Sequence, residues 1–356
     1  MKKDSTVTIG LDLGDRWSQL AMLDETGEVL EESRVPTTRA GMKRKFERLA
    51  PCRVAIEVGA HSRWVAQLLR GLGHEIVTAN PRKLRMIFQN ESKSDRMDAL
   101  ALARVARLDP TLLHGVTQRS QECQDRLAIV KARAVLVQTR TRLVNHVRGV
   151  CKAYGTRLTG CNAEALPKRA RAQVPEVLQS ALEPLFQMIV EVSARIRDYD
   201  RTIIKMGETG VPEAGKLTKI PGVVPLTALT FVLTVDDSTR FKKSRAVGSY
   251  LGLRPRRDQS GASDKQLSIT KAGDVYLRSL LVNCAQYLLG PFGKDCAIRR
   301  WGLKLAERGG KNGKKRAVVA VARKLAIVMH RLWVTGEEFI PFPEPSLRSH
   351  AMQMIG

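Results

Sequence analysis

The chain has 356 residues, 43% of them hydrophobic, which exceeds one ordinary domain and is enough to build real cores. Its 60 Lys and Arg against 35 Asp and Glu give a net charge of +25, an excess that attracts polyanions and makes nucleic acid the expected partner. No stretch is long and apolar enough to span a membrane, the N-terminal MKKDSTVTIG lacks the apolar run of a signal peptide, and the six cysteines form no CxxC pair or zinc-spaced cluster. A folded cytoplasmic protein with reduced thiols is expected. Its charge is uneven: residues 1–110 hold 19 basic and 15 acidic residues, the remainder 41 and 20. A nearly neutral start with placed carboxylates suits a metal-ion site, and the basic remainder suits phosphate neutralisation.

In chain order, VTIGLDLG, WSQLAMLD at 17–24 and EVLEESRVP at 28–36 read as three short strands, the last two joined by the turn Glu25-Thr26-Gly27. A charged helix at about 39–50 follows, then a strand at 52–58, a helix at 61–72 and a strand at 74–79. This is the element order of an RNase H-like α/β fold. After Asp95 the pattern turns helical. From Leu178, the residues Leu182, Leu185, Ile189, Val192, Ile196, Tyr199, Ile203 and Met206 alternate spacings of four and three, which is a heptad seam. A weaker series, from Leu127 through Val130, Ala134, Val137 and Thr141 to Val144, precedes a loop around Pro167 and Pro175. The two helices can pair within the chain or build a dimer, and the length and charged outer faces of the seam favour the dimer. A loop at 207–216 marks the next boundary. Beyond it the chain reads as helical except for a turn-rich basic insert at 252–268 and a glycine- and lysine-rich link at 309–316.

Asp12 lies near the end of an apolar strand and is followed by Gly14, which leaves its carboxylate uncrowded; Glu57 ends the AIEV strand. In an RNase H-like sheet these strands are neighbours. Asp95 and Asp98 sit three apart on one face of the helix KSDRMDALALARVA. Carboxylates gathered in one place repel unless a cation neutralises them, and hard oxygen ligands suit Mg2+ or Mn2+. Each residue also has a plainer reading, with Asp12 in a strand-end turn, Glu57 on the surface, and Asp95 as an N-cap with Asp98 at N3. All four in this strand order favour the metal site.

The segments GLDLG, AIEVG and KSDRMDALALARVA, followed by YLGLRPRRDQSG and SITKAGDVYLR, resemble the DEDD transposases of insertion sequences and the related Piv-like DNA invertases. The resemblance runs in order over nearly the whole chain. It implies a RuvC-like metal-binding domain at 1–110, a helical coiled-coil linker at 111–210 and a mainly α C-terminal transposase domain at 211–356. It also implies that Asp12, Glu57, Asp95 and Asp98 are the metal tetrad and that Ser260 is the serine that attacks DNA. Double-stranded DNA at element ends and targets, a homo-oligomer (dimer or tetramer) and, as in RNA-guided members, a structured guide RNA are the partners it suggests, in a nucleoid-associated bacterial protein. It further suggests a site completed between protomers.

From the residues alone, Ser260 sits beside Gly261 among Arg254, Arg256, Arg257, Lys265 and Lys271, where a phosphate and its transition state would be stabilised. Ser263 and Ser268 look as good by composition. The Gln-Ser-Gly triplet of the family selects Ser260. Ile220-Pro221-Gly222-Val223-Val224-Pro225 resembles a helix-hairpin-helix turn with Val224 where a second glycine is usual. Thr270, Lys271, Gly273 and Arg278 resemble the family's ITK-G-LR string, and Lys311, Lys314, Lys315 and Arg316 form a cationic run, all read as phosphate contacts. GLDLG also opens sugar kinases and actin-like ATPases, but the second phosphate loop and adenosine site of that class are missing. A junction endonuclease without a covalent intermediate and a non-catalytic nucleic-acid binder also compete with the transposase reading.

Overall fold

The computed structural model describes residues 7–81, 94–261 and 263–343, without the side chains of Gln266 and Lys311. The chain forms two compact units that meet in sequence between Gln118 and Arg119. The first is a mixed α/β unit and the second is largely helical.

In the first unit, β1 (Thr8–Asp12), β2 (Trp17–Leu23) and β3 (Val29–Pro36) form the expected antiparallel meander. Its β2–β3 turn is held by Asp24, whose carboxylate accepts the N–H groups of Thr26, Gly27 and Glu28 at 2.8, 2.8 and 2.9 Å. Then come α1 (Arg39–Phe46), β4 (Arg53–Glu57), α2 (Ser62–Gly71) and β5 (Glu75–Ala79), close to the predicted bounds. The sheet order is β3-β2-β1-β4-β5, with β4 parallel to both β1 and β5. Alternation along the strands divides the core between two faces. Ile9, Leu11, Leu20, Val54 and Ile56 pack against Met42, Phe46, Val65 and Leu69 of α1 and α2. On the opposite face, Ala21, Leu23 and Ala55 meet Ala99, Leu102, Ala103 and Ala106 of α3 (Asp95–Leu108). Three successive residues of β4, Val54, Ala55 and Ile56, are buried because helices cover both faces.

The second unit opens with two long helices, α4 (Gln121–Ala153) and α6 (Glu176–Thr209), joined through the short α5 (Leu166–Ala170). They run antiparallel, as Arg133 pairs with Asp200 at 2.9 Å and Arg140 donates to Ser193 Oγ at 3.2 Å. The predicted seam is therefore used inside the chain. Leu182, Ile189, Ile196 and Ile203 are buried, but Phe186 and Ser193 join them while Leu185, Val192 and Tyr199 are only half-buried. A straight helix turns every 3.6 residues, so the buried stripe drifts off a strict heptad. Thr141 of the weaker series is exposed, and Arg133 and Arg140 form a polar layer in its place.

Three local expectations are corrected. The loop at 207–216 is helical apart from Gly210 and Val211: α6 runs to Thr209 and α7 (Pro212–Leu217) starts on Pro212, whose missing N–H costs a first turn nothing. Val211, Ala214 and Leu217 lie in one core with Leu127, Val130 and Ile203. The insert at 252–268 is a hairpin of β6 (Pro255–Ser260) and β7 (Ser263–Ile269), because backbone pairing overrides its polar composition. The link at 309–316 is one tight turn, Gly310–Asn312, after which helix resumes at Gly313. The remaining helices are α8 (Pro225–Val235), buried from Thr227 to its end, α9 (Arg245–Tyr250), α10 (Val275–Leu289), α11 (Ala297–Arg308) and α12 (Gly313–Thr335). Among the described residues no helix is long and apolar enough to cross a membrane.

Candidate functional site

Asp12 and Glu57 close neighbouring parallel strands. Leu11 stands opposite Ile56, so the two carboxylates follow in register, and both are half-buried. Gly10 explains how α3 reaches this place. A Cβ at Gly10 would lie 1.9 Å from the Ala99 carbonyl oxygen and 2.5 Å from the Ala103 nitrogen, so only glycine lets the helix backbone rest on β1. Arg53, at the start of β4, donates to the Ala106 carbonyl near the end of α3 at 3.3 Å. The helix therefore runs antiparallel to β1 and β4, and its first turn lies toward the strand ends that carry Asp12 and Glu57.

That first turn holds Asp95, exposed, and Asp98, half-buried. The N-cap is Ser94, whose hydroxyl accepts the Met97 N–H at 3.3 Å, so Asp95 is not the cap. Lys93 of the same motif lies outside the described residues. The elements thus bring four carboxylates to one end of the sheet. They do not form a closed cage: among the described residues no three His, Cys, Asp or Glu side chains are grouped so as to hold a metal ion. Asp12, Glu57 and Asp98 each engage another group. The donor set is all carboxylate, which matches a hard divalent cation. Sequence reading passed over His61 and Asp15, which stand 3.8 Å apart just beyond the ends of β4 and β1. His61 Nδ1 accepts from Trp64 Nε1 at 3.1 Å, which leaves Nε2 facing Asp15. Gly10 was also passed over, though its place two residues before Asp12 puts it on the same strand face.

Ser260 ends β6 at the tip of the hairpin, directly opposite Ser263, with Gly261 at φ +54° in the turn between them. Every residue from Arg256 to Gly261 is exposed, so the hairpin is an arm. Ser260, Ser263, Asp258 and Lys265 share one face of it by register. Arg257 lies on the other face in a bidentate pair with Asp264, 2.6 Å from Nε to Oδ1, which holds the Asp264 carboxyl below its usual range. Arg256 donates to Ser268 Oγ at 3.3 Å. Lys265 and, by alternation along β6, Arg256 are thus cations on the face of Ser260.

The string Thr270, Lys271, Gly273, Arg278 is largely a clamp at the foot of this arm. Thr270 and Lys271 donate their N–H groups to Arg254 and Gly252 at 2.9 and 3.1 Å. Gly273 has φ +69°, and a Cβ there would lie 2.1 Å from the Tyr250 carbonyl oxygen. Arg278 is buried and donates to the Leu251 and Ala272 carbonyls at 3.0 and 2.6 Å. A cation spent on buried carbonyls is part of the fold, which corrects the reading of Arg278 as a phosphate contact. Lys271 and Arg254 are exposed.

Gly222 turns the chain between α7 and α8 with φ +84°. Val224 is the N-cap of α8, without a side-chain cap, and is 52% exposed, but Pro225 carries no N–H and the buried Thr227 and Ala228 donate theirs to the Val224 carbonyl at 2.9 and 3.0 Å, so this helix start offers few amides to a phosphate. Lys314, Lys315 and Arg316 are exposed in the first turn of α12, where Arg316 reaches the Gly309 carbonyl. Cations there oppose the helix dipole, a cost that a bound anion would offset. The Lys311 side chain lies outside the described residues.

Residues 9–155, which hold all four carboxylates, match a family described as a DEDD transposase, and residues 214–295, which hold Ser260, match the family described as Transposase IS116/IS110/IS902. The chain is 30% identical over 349 residues to the transposase for insertion sequence element IS1111A of Coxiella burnetii, covering 93% of this chain and 90% of that protein. It is 28% identical over 283 residues to the transposase for insertion sequence element IS1328 of Yersinia enterocolitica, covering 78% and 82%. A pilin gene-inverting protein of Moraxella lacunata is 35% identical over 118 residues, 33% of this chain and 35% of that one.

Proposed function

The chain belongs to the IS116/IS110/IS902 family of insertion-sequence DEDD transposases, and on that premise we propose that it cuts and rejoins DNA through Ser260, assisted by a divalent cation held by Asp12, Glu57, Asp95 and Asp98. The observation that carries the reading is the end of the sheet where β1, β4 and the start of α3 bring acidic residues together. The strand order, with an antiparallel β2 and helices on both faces, supports an RNase H-like unit of RuvC type. Carboxylate oxygens suit Mg2+ or Mn2+. Such a cation, when bound, neutralises the phosphate and activates the attacking hydroxyl.

Ser260, exposed at the tip of the arm, is free of the crowding that would keep a phosphodiester away. Its Oγ forms a bond to phosphorus as a strand P–O bond breaks, the serine proton departs and the released strand end takes one up. One phosphoester replaces another, so the reverse step rejoins DNA without an external energy source. Lys265 on the same face stabilises the charge that develops. The gene-inverting relative supports recombination rather than simple cutting. Duplex DNA at element ends and targets is the proposed substrate, with a structured guide RNA and a homo-oligomer as the proposed setting, in the bacterial cytoplasm at the nucleoid. Because the inward stripe of α6 is used within the chain, an oligomer would draw on its outer residues, such as the exposed Met188, Val190 and Ile204.

The test is a covalent adduct with nicked or trapped DNA on a denaturing gel. Wild type should form it, and Ser260→Ala should keep fold and affinity yet form none. Ser263→Ala and Ser268→Ala should form it normally, and Asp12→Ala should abolish it. An adduct that survives in Ser260→Ala but vanishes in either control moves the nucleophile there, and no adduct in the wild type favours a metal nuclease that uses water.

A further inference from the structure

Three arginines from separate segments of the second unit gather at the foot of the arm around one glycine. Arg323 of α12 lies across Gly248 of α9, so closely that a Cβ at Gly248 would stand 2.9 Å from Arg323 Cγ. Arg245 precedes Gly248 by three residues, which puts it on the same side of that helical turn. The Gly248 carbonyl accepts the Leu253 N–H at 2.9 Å, and this bond draws Arg254, the next residue, to the same place.

The cluster is poorly satisfied by the protein itself. Arg323 Nε is buried and has no hydrogen-bond partner among the described residues. Burial first, and then the charges of Arg245 and Arg254, hold the Arg323 guanidinium below its usual pKa, and among the described residues no carboxylate counters them. By contrast, the neighbouring Arg133 and Arg140 of this unit have a carboxylate, Asp200, beside them. A buried donor without an acceptor and three adjacent like charges both cost stability. An anion with several oxygens would satisfy both at once, and the planar guanidinium fork matches phosphate.

We infer that Arg245, Arg254 and Arg323 form a phosphate-binding cluster that grips one strand of duplex DNA at the foot of the arm. The identity of the ligand as DNA rests on the recombinase function proposed for the chain. Ser260 is six residues from Arg254 along β6, a span of roughly 20 Å at the rise of a strand. A strand lying along the arm would then have its gripped phosphate about six base pairs from the bond at Ser260. The cluster is thus a positioning site that sets register, and it takes no part in the chemistry.

The test uses the full-length chain and a labelled duplex of about 30 base pairs, titrated across a range of salt concentrations. Arg323→Met keeps the side-chain stem against Gly248 and removes the charge. It should weaken binding on the order of tenfold and lower the slope of log affinity against log salt by about 0.9, the signature of one lost phosphate contact. Arg323→Lys should recover part of the loss, and Arg201→Gln, exposed on α6, should leave the slope unchanged despite the same change in net charge. The melting temperature of Arg323→Met should stay level or rise, because an unpaired buried cation is removed. Inorganic phosphate at millimolar concentration should compete with the duplex for wild type more than for Arg323→Met. An unchanged slope overturns the inference, as does a fall in melting temperature, which would make Arg323 a structural residue. Lost affinity for a structured RNA with duplex binding intact would hand the site to RNA. Adduct formation is scored separately: an adduct with an unchanged slope sinks the cluster alone, and a lost slope without any wild-type adduct sinks the serine reading alone.

Discussion

Gly10→Ala is the sharpest test of how the fold builds the acidic end of the sheet. The new methyl would lie 1.9 Å from the Ala99 oxygen and 2.5 Å from the Ala103 nitrogen, both backbone atoms of α3 that no rotamer change can move. To reach ordinary contact the helix must withdraw from β1 by about 1 to 1.5 Å. The pieces that must follow are Leu102, Ala103 and Ala106, which are buried against the sheet. Overpacking of this kind costs about 3 kcal/mol or more, roughly 10 °C in the melting temperature of a unit this size. The same withdrawal carries Asp95 and Asp98 away from Asp12 and Glu57, and a misplacement of about 1 Å is enough to lower a reaction rate on the order of a hundredfold. Strand cleavage and adduct formation should therefore fall by at least that factor at a temperature where circular dichroism shows the variant folded. Duplex affinity should stay within about twofold, because most of the excess positive charge lies after residue 110. Gly10→Ala with wild-type melting and wild-type cleavage would refute the claim that close approach of α3 positions the acidic residues.

Two other perturbations have outcomes the structure decides. His330 is buried, with Nε2 donating to the Ser238 carbonyl at 2.9 Å and Nδ1 accepting from the Ser244 hydroxyl at 3.0 Å, and burial holds its pKa below 6.5. The unfolded chain binds the proton first, so stability should be full above about pH 6.5 and fall as pH drops from there through the folded pKa; urea midpoints between pH 7.5 and 5.5 should show this slope and His330→Gln should flatten it. Ile196→Glu places a carboxylate in the stripe buried between α4 and α6, so it should cost about 3–5 kcal/mol and appear as lost helicity at 222 nm. A fully helical variant that merely dissociates would show that the seam lies between chains.

What was legible in the sequence was local. Short β-prone runs bounded by turn signals and helical stretches marked all five strands of the first unit, and the positions of Asp12 and Glu57 at apolar strand ends implied neighbours once the sheet order was assumed. The antiparallel arm around Ser260 was not legible, because β6 and β7 carry charges and serines where apolar alternation would mark a strand. Their pairing lives in backbone hydrogen bonds between residues that composition does not link. The heptad series was visible, but which surface covers it was not: Ile189 and Ile196 look the same whether α4 or a second chain lies against them. The arginines make the same point for charge. Arg278 and Arg254 read alike in the sequence, yet one is buried on two carbonyls and the other is exposed. Arg323, unremarked in a helical stretch, has its Nε buried against a glycine 75 residues away. Periodicity is a property of neighbours along the chain and survives in any fold that buries it. Whether a cation faces solvent, a carbonyl or another cation depends on contacts between distant segments, and those exist only once the tertiary structure has formed.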